Sequence, residues 1–552
     1  MSTAAERSEL TFTAPGPGTW EQDPAHFPRA ITPWTAEAFP PGFARGFAEG
    51  TRRYGLLFSH LDAGVVNGFI YYRVVPAAEV HGEAEVPRRF EAAREAIERR
   101  LWREDLALWD NEMKADSFRR NRALQSVDLA ALSDRELARH VERCFENEVE
   151  MVYRHHKFTI TAIFPVGLYV AAAKEWTGLS NSELLGLLRG STPLSNGIAA
   201  AELQEVVDAL RAENVTLADF AGVPPATIVE RLRTRPGAVG ASVRRYLDAC
   251  GAHAMSGYDV ADLTTEELPD TIVQAFFGGA RDTDPQREAA ELAARTAEVR
   301  AKVPAQHRAE FDELLAEARL INRLRDERGV HNDLWAFGIA RRALLEAGRR
   351  LALRGSIERG ELVFEARPVE IVALLDGRTG PASDELRERA RRRLSLTRAD
   401  VPPVLGDPPS PPPPIDGLPE HARRAAAAIQ VSIGELLGEM PAATSESRLS
   451  GRAVSPGVYE GTARLVLGPA DFNRLQQGDV LVTASTNAAF NVVLPLLGAI
   501  VTDRGALLSH AAIVAREYGI PAVVHTASAT TVIPDGARVR VDGMRGTVEV
   551  LR

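Results

Sequence analysis

A chain of 552 residues, 45% apolar and 25% charged, has material for about two to four globular domains. A net charge of −10 argues against a nucleic-acid partner, and two cysteines, Cys144 and Cys250, exclude a disulfide framework or a cysteine-built metal centre. The cysteine count fits a reducing cytoplasm. No basic-plus-apolar leader opens the chain, and no apolar run is expected to span a bilayer, with 64–75 and 160–173 reading as core.

Residues 1–50 are rich in proline, glycine and aromatics, as in Pro15-Gly-Pro-Gly-Thr-Trp20, Pro33-Trp34 and Phe39-Pro-Pro41. This spacing predicts an extended arm with no helix, anchored by Trp20, Phe27 and Trp34, its first ten residues disordered. Residues 53–77 predict one or two strands around 69–75. Residues 87–121 predict one long charged helix with Phe90, Ile97, Leu101 and Leu108 on its inner face. Helical periodicity continues through 134–178, 182–188, 200–212, 226–232, 239–250, 285–328 and 333–355, with Asp134 and Ser180 at N-terminal boundaries. Prolines crowd 400–419, an extended hinge, and a short helix follows to about 439. Beyond 446 the pattern changes to short strands at 463–467, 479–483, 498–502, 522–524, 537–541 and 547–551. The fold class is therefore multidomain α+β. It comprises an extended arm (1–50), a large mainly helical substrate-binding domain (51–400), a Pro-rich linker with a short helix (401–445) and a C-terminal domain of strands with one helix (446–552).

One motif organises the rest. A strand ends at Thr502, a turn containing Asp503 and Gly505 follows, and a helix opens at Ser509 and His510, stopping before Gly519 and Pro521. Free N–H groups and the positive dipole end favour an anion at that point, so a phosphoryl group on the imidazole would be stabilised there. Histidine can also form a covalent intermediate as a nucleophile.

The run Asp503, Gly505, Leu508, Ser509, His510, Ala511, Ala512, Val514, Ala515, Arg516, Glu517, Gly519, Ile520, Pro521 and Ala522 resembles the phosphohistidine mobile domain of phosphoenolpyruvate-utilising enzymes. Leu449-Ser-Gly451, Ser455-Pro-Gly457, Gly461, Gly478-Asp-Val-Leu-Val482, Asp535-Gly536, Asp542-Gly543 and Gly546 extend the likeness. Ala506 replaces a second glycine, and Thr486-Asn-Ala-Ala-Phe-Asn491 departs from the family's Thr-x-Pro-x-Trp. The resemblance implies a swivelling β/β/α domain whose His510 carries a phosphoryl group between two sites, with Asp503, Gly505 and Arg516 shaping the phosphate-bearing turn.

Two patches of the helical body resemble the substrate domain of rifampicin phosphotransferases. They are Cys250-Gly-Ala-His253 with Gly257-Tyr-Asp259 and Glu267-Leu-Pro269, and Arg325-Asp-Glu-Arg-Gly-Val-His-Asn-Asp333. Ala254 stands where that family has Arg, and Asn332 where it has Lys. The likeness implies Arg325, Arg328 and His331 as groups that stabilise the transferring charge, His253 as base, and Tyr258, Asp259, Asn332 and Asp333 as substrate contacts. His155-His156 reads as core or surface, and no metal site is expected. Trp102, Trp109, Trp176 and Trp335 read as core residues that could also flank an aromatic substrate.

No Gly-x-x-x-x-Gly-Lys-(Ser/Thr) loop is present, so this chain is expected to bind no cofactor itself. ATP and Mg would act only through an ATP-grasp partner subunit; neither a nucleic acid nor a membrane is expected as a partner. The leading expectation is a phosphotransferase subunit that passes phosphate through His510 to a small-molecule acceptor in the helical domain. Two alternatives stay open: an ATP-independent biosynthetic dehydratase, lyase or condensing enzyme with His510 as acid or base, and a non-catalytic docking subunit.

Overall fold

A computed structural model describes residues 11–24, 26–192, 197–255, 257–278, 285–397, 400–411, 414–433, 448–486, 490–491, 493–507 and 509–551. The chain forms two compact units, each gathered from separated stretches. The first comprises Met1–Thr161, Ala252–Leu263 and Glu327–Ala426; the second comprises Ala162–Gly251, Thr264–Asp326 and Ala427–Arg552. The helical body of 51–400 is thus divided between both. The insertion 252–263 belongs to the first because its backbone and side chains bond there: Ala254 N–H donates to Leu334 O at 2.8 Å, and Asp259 accepts from Thr32 N–H at 2.7 Å.

The first unit holds an antiparallel sheet of order β2-β3-β1-β4, made of β1 (Thr19–Gln22), β2 (Phe58–Val66), β3 (Phe69–Pro76) and β4 (Val404–Gly406). β2 and β3 are the strands expected around 69–75. β4 is a correction to the linker: the start of the Pro-rich stretch is an edge strand, with Leu405 opposite Trp20 and Tyr71 Oη donating to Pro402 O at 2.7 Å. Proline is tolerated at such an edge because no N–H is owed to the ladder. Trp20, Phe69, Tyr71, Leu396, Val401 and Leu405 form the core beneath.

The arm is also corrected. Trp20, Phe27 and Trp34 are buried anchors as expected, but Pro33–Arg53 is a 21-residue helix. Pro33 occupies the first turn, where its missing N–H costs nothing, and Thr32 caps the helix. Pro40 and Pro41 lie inside and carry a cost of about 3 kcal/mol each in isolation. Packing offsets it. Gly42, Gly46 and Gly50, one turn apart, let the backbone approach the Asp134–Lys157 helix so closely that a Cβ at Gly42 would stand 2.5 Å from Val149 O. Burial of Trp34, Phe39, Phe43 and Phe47 adds roughly 1.5–3 kcal/mol per side chain.

The single helix expected over 87–121 is broken. Glu85–Arg99 and Leu101–Leu108 meet at Arg100, which adopts a left-handed φ of 53°, and a π turn at Trp109–Met113 leads into Lys114–Gln125. Asp134 is the first residue of its helix, while Ser133 is the cap, in a reciprocal box with Glu136. The run 134–177 is long and apolar enough to cross a membrane by length and composition, contrary to expectation, but 78% of its apolar window is buried inside the protein. It is core, as 160–173 was read.

The second unit contains a helical part and a strand-rich part. Ala200–Ala212, Pro225–Thr234, Ala238–Cys250 and Pro269–Phe277 enclose Val206, Leu210, Leu232, Val243 and Phe276. Ser180 caps Asn181–Leu185 as expected, and the periodic stretch 285–328 resolves into Pro285–Lys302, Arg308–Asn322 and Leu324–His331, the last reaching into the first unit's residues. The strand-rich part is an eight-stranded sheet of order β5-β12-β11-β7-β8-β9-β10-β6. Its strands are β5 (Arg448–Ser450), β6 (Arg452–Ser455), β7 (Val458–Leu465), β8 (Asp479–Thr483), β9 (Leu497–Thr502), β10 (Ala522–Val524), β11 (Arg538–Asp542) and β12 (Thr547–Val550). β7-β8-β9-β10 are parallel neighbours and the flanking pairs antiparallel. All six expected strands are present. β5 and β6, three and four residues around Gly451, are too short to show an alternation. The linker helix is Glu420–Ile433; the rest of the expected hinge, 434–445, and the first ten residues lie outside the described residues.

Candidate active site

The site is built on β9 and the turn behind it. Asp503, at the strand end, accepts from Thr530 N–H at 2.9 Å and from the Thr530 hydroxyl, while its own N–H donates to Thr483 O at 3.0 Å. Its carboxylate clamps the turn. Gly505 has φ 136°, and a Cβ there would stand 2.9 Å from Ser509 Oγ, so the turn can pass this point only as glycine. Ser509 is the N-cap residue of the His510–Tyr518 helix without bonding the helix N–H groups through its side chain. Its buried hydroxyl has no hydrogen-bond partner among the described residues.

His510 Nδ1 and Thr486 Oγ1 are 3.0 Å apart, which fixes the ring and leaves Nε2 for chemistry. The ring keeps some solvent exposure. Burial first, and then the Arg325 guanidinium, hold its pKa down at about 3. The imidazole is therefore neutral at physiological pH, as a nucleophile requires. Arg516 is buried, donates to Val454 O at 3.2 Å, and feels the same Arg325. The C-terminal end of this helix is bound as firmly as its start. The Glu517 carboxylate accepts from Gly190 N–H at 2.6 Å and from Thr192 Oγ1 at 2.8 Å, and Glu517 O accepts from Arg189 Nε at 3.2 Å. Gly519 closes the helix with φ 61°. The second unit thus gathers Asp503, Gly505, Ser509, His510, Arg516 and Arg325. Leu508 and residues 487–489 of the divergent Thr486–Asn491 stretch lie outside the described residues.

The remaining expected residues belong to the first unit, and most have structural partners. His253 is buried, stacked on Trp335 with centroids 5.1 Å apart, and its Nε2 lies 3.2 Å from Val330 O. A carbonyl only accepts, so that nitrogen carries the proton. Tyr258 meets the His26 ring edge-on at 5.8 Å. Asp259 holds Thr32 and Ala261 N–H. Asn332 accepts from Ser117 Oγ at 2.7 Å and donates to Arg328 O at 2.7 Å. Arg328 donates to Thr159 Oγ1 at 2.7 Å and to His155 O at 3.2 Å. Burial and Lys114 push the His331 pKa down to about 4. Trp102, Trp109 and Trp335 are buried core residues, and Trp176 stacks on His307 at 4.9 Å.

Sequence reasoning missed one buried pair here. His155 Nδ1 and Asp333 Oδ2 are 2.6 Å apart, and burial raises the Asp333 pKa to about 8. Two turns earlier on the same helix, the fully buried Glu148 accepts from Trp34 Nε1 at 2.7 Å, and its pKa is raised well above the carboxylate range by burial, with Asp259 and Asp333 adding repulsion. His155, His156 and Asp333 place ligand-type atoms within 4.8 Å of one another. Two ligands each about 2 Å from a tetrahedral ion stand roughly 3.3 Å apart. The 2.6 Å contact is instead a hydrogen bond. The partners are separated by 178 residues, and no local pattern joins them.

Residues 475–546 match the family model described as the PEP-utilising enzyme mobile domain, and residues 154–326 match the rifampicin phosphotransferase fourth domain. The chain thus carries a region similar to the mobile domain of phosphoenolpyruvate-utilising enzymes and another similar to the rifampicin phosphotransferase fourth domain. The first match covers β8, β9, β10 and β11 of the strand-rich part, and the second falls on helices of the helical body. Rifampicin phosphotransferase of Streptomyces sviceus is 28% identical over 392 residues, covering 68% of this chain and 42% of the relative. That of Bacillus cereus is 48% identical over 101 residues, 18% of this chain and 12% of the relative. A probable phosphoenolpyruvate synthase of Staphylothermus marinus is 42% identical over 118 residues, 21% and 14% respectively. Each match therefore covers less than half of the relative's length.

Proposed function

We propose that this protein is a phosphotransferase in which His510 Nε2 carries a phosphoryl group and delivers it to a hydroxyl or carboxylate of a small molecule held by the helical fourth domain beside Arg325. The observation that carries this is the state of His510: a neutral imidazole pinned through Nδ1 at a helix N-terminus, with Arg325 as a nearby cation. In the transfer, the acceptor oxygen bonds to phosphorus as the P–N bond breaks, and its electron pair returns to the imidazole. The proton lost by a hydroxyl acceptor replaces phosphorus on the ring, so the balance closes. Arg325 stabilises charge spreading over the phosphoryl oxygens.

The donor is an ATP-grasp module, in a partner subunit or elsewhere in a longer chain, as the likeness to rifampicin phosphotransferases suggests. The acid–base reading of His510 is the weaker one. A group held near pKa 3 is a poor general base and is not protonated to serve as an acid near neutrality.

The test is intact-mass measurement after incubation with ATP and an ATP-grasp protein. An acid-labile gain of about 80 Da that is absent in His510→Ala supports phosphotransfer. Full turnover of a substrate with no phosphoryl donor present would rule it out.

A further inference from the structure

The mobile domain and the fourth domain share one joint, centred on the far end of the histidine's helix. Asn181–Leu185 packs beside β6, and Pro269–Phe277 beside Pro469–Arg474. The polar part of the joint is Glu517. It takes two hydrogen bonds on its carboxylate, from Gly190 N–H at 2.6 Å and Thr192 Oγ1 at 2.8 Å, and one on its carbonyl, from Arg189. Arg189 is braced in turn by Glu288 at 2.9 Å. A Cβ on Gly519 would stand 3.1 Å from the Arg189 guanidinium, so the two surfaces are in close contact.

Like charges also face one another across this joint. Arg325, from the fourth domain, disfavours positive charge on both His510 and Arg516. Asp326, its neighbour, disfavours negative charge on Glu517, whose carboxylate is already raised in pKa by burial. The seat is formed against these repulsions.

We propose that Glu517 is a positioning residue, a latch that seats the mobile domain on residues 189–192 of the fourth domain, and that a phosphoryl group on His510 tightens this latch. A phosphoryl group on His510 brings close to two negative charges within range of Arg325, so that the guanidinium that opposes positive charge across the joint gains an anion to attract. Once the group has passed to an acceptor, the repulsion returns and the seat loosens. Loading thus favours docking, and transfer favours release. The coupling rests on the phosphohistidine reading; the latch contacts do not.

The Gly190 amide donates directly to Glu517, so its hydrogen exchange reports the latch. The experiment uses the full chain with phosphoramidate as a chemical phosphoryl donor, loading checked by intact mass and localised with His510→Ala. Loaded protein should exchange the Gly190 amide about tenfold more slowly than unloaded protein, the scale of one charge-assisted hydrogen bond. Arg325→Ala, compared with the parent at equal phosphoryl occupancy by intact mass, should abolish that difference, an effect a merely structural residue would not confine to the loaded state. Glu517→Ala should speed exchange at Gly190 in both states, and Thr192→Val should do so more mildly in a variant that keeps the carboxylate. Loaded protein with unchanged exchange would overturn the coupling while leaving phosphotransfer standing. Failure of His510 to load would remove the phosphotransfer reading and the coupling together. Unchanged exchange in Glu517→Ala would overturn the latch itself.

Discussion

His510 in the second unit and His155 in the first are both enclosed by protein, and their neighbours are opposite in sign. His510 faces Arg325 and has a hydroxyl, Thr486, on Nδ1. His155 faces Asp333 at 2.6 Å, with Glu148 buried two turns away. Under the proposed phosphotransfer, a cation beside a neutral imidazole suits it to carry an anion. Carboxyls around an imidazole share a proton that is already present. The first arrangement is unfinished without a ligand; the second is complete, and it marks the Asp134–Lys157 helix as a place where charge is settled inside the fold.

Breaking the completed pair should have the largest effect. Asp333→Ala leaves His155 without its carboxyl partner and should lower stability by about 3 kcal/mol, read from the urea transition. Asp333→Asn keeps the volume and sharpens the contrast through pH. The folded pKa of Asp333 is raised to about 8 from 3.8. The folded protein therefore holds a proton that the unfolded chain releases, and this group's contribution to stability falls as pH rises from about 4 to about 8 and is flat above. The Asn variant should lose that slope; an unchanged slope would show that Asp333 is not the group responsible.

Removing the hydroxyl beside His510 should cost less. Thr486→Val frees the ring about its Cβ–Cγ bond and should slow phosphoryl uptake about tenfold with little change in stability. The smallest signal is an absence of change. With its pKa depressed to about 3, His510 should show no imidazole titration by nitrogen NMR between about pH 5 and about pH 8. Arg325→Ala should move its titration upward. A full titration near 6.5 in the parent protein would erase the contrast between the two histidines.

The histidine turn was legible in the sequence because its parts are contiguous: Asp503, Gly505, Ser509-His510 and Gly519 each do a local job that a short motif records. The eight-stranded sheet was mostly legible for the same reason, through strands long enough to alternate. What could not be read was pairing at a distance. Glu517 lies inside the recognised run, yet its partners Gly190 and Thr192 are more than three hundred residues away. Asp503 reads as a residue that shapes the turn, but its partner Thr530, 27 residues on, is visible only in the structure. The Pro33–Arg53 helix was misread because local propensity counts prolines, while the glycine seam that offsets them has meaning only once the Asp134–Lys157 helix lies against it. The candidates around Arg328 and Asp333 come from the resemblance of 325–333 to a segment of the rifampicin phosphotransferase substrate domain, but whether a charge is spent on the fold or kept for a ligand is decided by tertiary neighbours.

The pairing of β4 with β1 bears on how this protein can be dissected. The Pro-rich stretch invites a cut near residue 400 to separate the two ends of the chain. Such a cut would strip Leu405 from Trp20, take the acceptor from Tyr71, and leave β1 as an open edge with unpaired backbone groups. A fragment ending there should stick to its own kind. Only an end after Asp407, whose N–H still bonds to Gly18 O at 3.0 Å, would keep this sheet whole.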